Sequence, residues 1–148
     1  MNNDALATFI EQTSAAFGPL TTAMVASVRA QLERLAKAPL TERWLQALHE
    51  DPPASKELYR DGTHGFVLLA HSEPTGLYRP PHDHGRGWVI YALQRGEMEI
   101  GTYARVEDAT GRVHLVKRDA SSLRAGEARV YLPGDIHDTR CVSGPSLL

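Results

Sequence analysis

The sequence predicts a mainly β fold, a sandwich or barrel of short strands, preceded by a lobe of about three α-helices. Two observations predict it. From Leu58 onward the apolar runs are short, rich in Val, Ile, Leu and Tyr, and broken at close intervals by Gly and Pro, which is the pattern of many strands joined by turns. Residues 4–50 instead place apolar side chains at helical spacing in an Ala-, Leu-, Gln- and Glu-rich context.

Leu6, Phe9, Ile10, Thr13 and Phe17 fit one face of a first helix, which Gly18-Pro19 stops. Met24, Val25, Val28, Leu32 and Leu35 form a second stripe running to about Ala38, before Pro39. Thr41 is placed to cap a third, short helix carrying Trp44, Leu45 and Leu48. Asp51-Pro52-Pro53 then breaks the chain. Strands are expected near 65–71, 76–81, 87–94, 97–105, 111–118, 128–133 and 137–142. Gln94-Arg95-Gly96-Glu97 and Asp108-Ala109-Thr110-Gly111 read as turns. Three helices would bury little by themselves, so residues 1–148 are read as a single domain, with 1–51 a helical lobe packed on a barrel at 58–148.

Composition narrows the function classes. The chain has 148 residues, 42% hydrophobic and 23% charged, with a net charge of -2. That suits a globular fold and argues against electrostatic binding of nucleic acid. A single cysteine, Cys141, excludes an internal disulfide framework and a Cys-based zinc cluster. No apolar run is long enough to span a bilayer, and Met1–Phe9 lacks the basic and apolar regions of a secretory signal. A cytoplasmic protein without a membrane partner is the expectation.

The chemistry is carried by histidines. In Pro80-Pro81-His82-Asp83-His84-Gly85 an extended backbone puts His82 and His84 on one face, and Pro81 biases Pro80 away from helix. Two imidazoles side by side can share a metal ion, while Asp83 points the other way. A third ligand is available in Leu132-Pro133-Gly134-Asp135-Ile136-His137, where a tight turn delivers His137 to the start of a later strand.

The pairing of His82-x-His84 and Gly96 with a later Pro-Gly-Asp-x-His resembles the two motifs of the cupin superfamily, over roughly residues 58–142. The resemblance implies a double-stranded β-helix, a cupin jelly-roll barrel, holding a metal inside. The three preceding helices and the stretch HDHGRGWVIYALQRGEMEIGTY further resemble the cysteine dioxygenase family of thiol dioxygenases, including its bacterial mercaptopropionate branch. The general cupin motif places a glutamate shortly after the second histidine. Here Trp88 and Val89 stand there, and Glu73, Glu97 and Glu99 lie elsewhere in the pattern. The site therefore reads as three histidines without a carboxylate, like the neutral Fe(II) site of the thiol dioxygenases. Imidazole also suits Zn, Ni and Mn.

What the resemblance implies is a non-haem Fe(II) dioxygenase oxidising a small carboxylate-bearing thiol to a sulfinate with O₂, with Arg60 clamping the carboxylate. Alternatives are a zinc or nickel isomerase or hydrolase, and a non-enzymatic cupin binding a metal or small ligand. A homodimer is a further expectation, since cupin edge strands often pair between chains. The family carries a Ser-His-Tyr trio beyond its third histidine. Residues 138–148 contain none, and Cys141 stands where the family has Asn; either the final strand is missing, the chemistry differs, or another tyrosine substitutes, with Tyr91 and Tyr103 as the candidates. His49, His64, His71 and His114 have no partner at ligand spacing. Cys141 is expected in the core, Trp88 and Tyr91 as packing residues or as walls of the pocket, and Glu97 and Glu99 on a solvated face around Met98.

Overall fold

A computed structural model describes residues 4–148. Three helices lead: α1 (Ala5–Ala16), α2 (Thr22–Ala36) and α3 (Arg43–Glu50). The Asp4 carboxylate accepts from Ala7 N–H at 2.8 Å and caps α1. Thr21 caps α2 by accepting from Met24 N–H at 3.2 Å. Each satisfies one of the amides a first helical turn leaves open.

The third helix departs from expectation. Its N-cap is Glu42, not Thr41, and no side chain closes the cap. The Glu42 carboxylate instead accepts from Ala5 N–H at 3.0 and 3.1 Å and from the Trp44 indole, tying the start of α1 to the start of α3. A contact between residues so far apart in sequence outweighs the local capping preference.

Nine strands follow: β1 (Lys56–Arg60), β2 (Val67–Ala70), β3 (Ser72–Glu73), β4 (Tyr78–His82), β5 (Val89–Ala92), β6 (Arg95–Glu107), β7 (Val113–Arg124), β8 (Ala128–Tyr131) and β9 (Ile136–Leu147). All pairings are antiparallel. One sheet runs β3-β9-β6-β7, with β4 also on β9. β5 pairs with β8, and β1 with β2. The fold is mainly β, a jelly-roll barrel with an N-terminal helical lobe. No helix is long and apolar enough to cross a membrane among the described residues.

The barrel core joins Met98 and Ile100 of β6, Leu123 of β7 and Cys141 of β9 to Leu93 and to Tyr131 of β8, across the space between the large sheet and the β5–β8 pair. Cys141 is thus a core residue, as expected, at 1% exposure. The helical lobe is fastened by two smaller clusters, Phe9 and Leu35 on Leu68, and Leu45 and Leu48 on Ala70 and Leu147. Burying these apolar side chains is the main favourable contribution.

Strand β1 was not expected. Its sequence, Lys56-Glu-Leu-Tyr-Arg60, is largely solvent-facing and pairs only with β2, so it carries no clear apolar alternation. Strand β7 runs well past the predicted 118, through Asp119, Ala120, Ser121 and Ser122. These are poor strand formers, held extended by the ladder to β6. β7 is the sheet edge, with Val113, Leu115 and Val116 each about half exposed at 47%, 47% and 49%.

The turn at Asp108–Gly111 forms as expected. Asp108 Oδ1 accepts from the backbone N–H groups of Thr110 and Arg112. The turn expected at Gln94–Glu97 does not form, because β6 begins at Arg95. Gly96 serves a different need there. At φ +93° it lets β9 approach so closely that an added Cβ would lie 2.5 Å from the Ser143 carbonyl oxygen and 2.9 Å from Ser146 Cα. Gly96→Ala is therefore expected to destabilise the protein by about 1–3 kcal/mol, measured as a lower urea midpoint at unchanged m-value.

Candidate metal centre

His82 closes β4, His137 is the second residue of β9, and the two are directly paired across the ladder. Antiparallel pairing thus brings together side chains far apart in sequence. His84 lies just beyond the end of β4, where the chain turns. Asp83 Oδ1 accepts from Gly85 N–H at 3.0 Å, which occupies Asp83 in that turn. On the other side, Leu132 N–H donates to Asp135 Oδ2 at 2.7 Å and Asp135 N–H to the Leu132 carbonyl at 3.0 Å. Gly134, at φ +83°, permits this tight turn before His137.

The three rings converge as the sequence predicts. Ring centroids lie 4.6 Å apart for His82–His137 and 5.3 Å for each of the other two pairs. One ring nitrogen from each lies within 4.8 Å of the others. His137 is fully buried, yet neither of its nitrogens has a hydrogen-bond partner. Buried polar groups are normally paired because an unpaired one has lost its water for nothing, so this ring wants a partner that the chain does not supply. Burial, and then the proximity of His82 and His84, pushes the His137 imidazole down to about 4. Burial followed by the charge of His82 lowers His84 as well.

His82 Nδ1 lies 2.8 Å from the Pro80 carbonyl oxygen. A carbonyl only accepts, so Nδ1 carries a proton, and Nε2 is the nitrogen that can offer a lone pair to a metal. Orienting the outer nitrogen of a ligating histidine in this way is the usual support of a metal site. The donor set fits a divalent transition metal: neutral imidazoles, one fixed in tautomer, one orphaned and buried. Tyr131 stacks on His137 at 4.0 Å and holds it from below.

Beside the rings lies a cavity of 270 Å³. Its walls include His82, His84, Tyr91, Glu73, Arg79 and His71. Tyr91, named from the sequence, is therefore at the site, its hydroxyl 3.5 Å from His84 Nε2. Burial, and then the Glu73 carboxylate, raises its phenol. Two wall residues were not foreseen. Glu73 is 5% exposed, with Oε1 accepting from Arg79 Nε at 2.8 Å and Oε2 unpartnered. Nothing local marks either residue. Glu73 lies on a two-residue strand that exists only through its pairing with the end of β9. His71, expected to be unconnected with the site, also lines it.

Arg60 and Tyr103 do not join this group. Arg60 is paired with Glu57 at 2.8 and 3.1 Å on the exposed β1 and is absent from the cavity wall. Its expected place across a shortened loop gives way to an i,i+3 ion pair. Tyr103 donates to Asp138 Oδ2 at 2.6 Å, and Tyr78 donates to the same oxygen at 3.0 Å. Asp138 follows His137 on β9, and successive side chains on a strand face opposite ways. The Tyr103 hydroxyl is therefore behind the sheet from the histidines. Asp138 also accepts from Gly101 N–H at 2.8 Å, which makes this a structural clasp. Tyr103→Phe is expected to cost about 1–3 kcal/mol and to leave metal affinity unchanged in a calorimetric titration. Tenfold weaker metal binding would return Tyr103 to the site.

No known family profile and no curated protein matches the chain. Solved structures show a partial likeness. The recombinant oxalate oxidase in complex with glycolate is 22% identical, with a TM-score of 0.44. Oxalate oxidase bound to the substrate analogue glycolate gives the same values, and a further oxalate oxidase structure is 23% identical with a TM-score of 0.42. The matches cover 65% of this chain and 48% of each of those, so the chain spans about half their length. The architecture is a jelly-roll barrel with three imidazoles converging at one end of strands β4 and β9.

Proposed function

We propose that the protein is a metal-dependent cupin oxidoreductase whose metal is held by His82, His84 and His137. The observation that carries this reading is the buried His137 ring, which has two unpartnered nitrogens beside two further imidazoles. We take the metal to be Fe(II) and the reaction to be oxidation of a carboxylate-bearing thiol to its sulfinate, with both oxygen atoms of O₂ entering the product. Bound iron would supply a positively charged centre where thiolate and dioxygen meet.

The protein's own groups give the substrate its orientation. Arg79 takes the part that the resemblance gave to Arg60. It is the cation on the cavity wall, and Glu73 fixes its Nε so that the remaining guanidinium nitrogens can face an anionic group. Tyr91 is held neutral and can donate a hydrogen bond beside His84. Tyr131 and the buried core beneath His137 keep water from one side of the site.

A second reading has its own support. Glu73 Oε2 is a buried carboxylate oxygen without a partner on the cavity wall, and such a group suits proton abstraction in a zinc or nickel isomerase or hydrolase. One experiment separates them. Protein purified without oxygen is analysed for iron, zinc, nickel and manganese, then supplied with 3-mercaptopropionate or cysteine in an oxygen electrode. The dioxygenase reading expects iron and thiol-dependent oxygen uptake, with Arg79→Gln raising KM about tenfold or more through the lost charge-assisted contact. Zinc or nickel at full occupancy with no oxygen uptake would favour the second reading.

A further inference from the structure

A second cavity adjoins the first, and we propose that it is a subsite for an aromatic ring carried by the substrate. This rests on the reading of the histidines as the reaction centre and extends it to substrate class. The second cavity measures 680 Å³ and runs from His84 and Tyr91 to the C-terminal end of α1. His71, His84 and Tyr91 line both spaces, so one molecule can occupy the two together.

Its wall is built for a flat apolar group. Phe17 stacks on Phe66 at 4.8 Å with planes 28° apart, and on Trp88 at 6.0 Å with planes 18° apart. All three rings are only half-buried. In the barrel core, large apolar side chains such as Leu93 and Met98 are covered almost completely, whereas these three stay partly in water around an open space. An entering ring would cover them and stack in the same direction.

A polar observation points the same way. Thr13 of α1 is fully buried, lines this cavity, and its hydroxyl has no hydrogen-bond partner. A threonine inside a helix can return its hydroxyl to a carbonyl one turn back, and Thr13 does not. The free hydroxyl suits a polar substituent on the ring. Size agrees as well. The 270 Å³ space suits a small acid alone, and a cavity of about 150 Å³ already accepts benzene. The substrate class is thus an aryl-bearing thiol acid, its carboxylate towards Arg79 and its ring among Phe17, Phe66 and Trp88.

Metal-free protein provides the test, with three probes: propionate, 3-phenylpropionate and 3-(4-hydroxyphenyl)propionate, followed by calorimetry and tryptophan fluorescence. 3-Phenylpropionate is expected to bind about tenfold or more tighter than propionate. Trp88→Ala removes that preference, and Trp88→Phe keeps it but abolishes the fluorescence response, since Trp44 lies apart in the helical lobe. Thr13→Val erases any gain from the ring hydroxyl. Equal affinity of the wild-type protein for propionate and 3-phenylpropionate overturns the proposal without recourse to a variant. So does a folded Trp88→Ala protein that binds 3-phenylpropionate as the wild type does. Ring binding in a protein that takes up no metal would leave this subsite standing and overturn only the reaction centre.

Discussion

His82→Ala is expected to lose its metal while keeping its fold. His82 is only partly buried, at the end of β4, so its removal opens no sealed cavity, and the circular dichroism spectrum should match the wild type. Removing a group that merely orients a ligand already costs about 10–100-fold in metal affinity. Removing one of three ligands should exceed that range and bring metal content after dialysis from one equivalent to near zero. Stoichiometric metal retained by the variant would mean the ion sits elsewhere. Mutating Pro80 is no substitute for this experiment, because the backbone carbonyl that fixes the His82 tautomer survives any side-chain change.

The second large effect concerns His137 in the metal-free protein. Its imidazole sits at about 4 in the folded state against an ordinary value of 6.5. Between these values the unfolded chain binds a proton that the folded one does not, so stability falls as the pH is lowered. The shift corresponds to about 3 kcal/mol lost between pH 7 and pH 4. Urea midpoints measured across that range should show it. His137→Leu removes the titrating group and replaces two orphaned nitrogens by an apolar side chain of similar bulk. Its metal-free form is expected to be at least as stable as the wild type at pH 7 and markedly less sensitive to acid. A leucine variant less stable at pH 7, with an unchanged acid slope, would show that the ring is there for packing. Saturating metal should stabilise the wild type by mass action, about 2.7 kcal/mol at a hundredfold excess over Kd, and leave His137→Leu unmoved.

Several elements were legible because local chemistry announced them. The apolar stripes of α1 and α2, the Gly18-Pro19 stop and the Asp108–Gly111 turn needed no information from elsewhere in the chain. Other elements were not legible because distant pairing imposed them. The second half of β7 is extended only by its ladder to β6. Gly96 looked like a turn glycine and is a point of close approach between β6 and β9. Thr41 looked like a cap, and Glu42 took its position because it also reaches Ala5.

The candidate site divides in the same way. By itself the sequence determined the three imidazoles and their order, since His82-x-His84 and the turn before His137 are statements about neighbours in the chain, and side-chain alternation along an extended backbone is a local property. Only the tertiary structure decided what surrounds them. It set Glu73 and Arg79 on the wall, sent Arg60 outward to Glu57 and placed Tyr103 behind the sheet with Asp138. The physical reason is that those assignments depend on which strands pair and in what register. Each is fixed by a contact between segments far apart along the chain, and no run of residues records it.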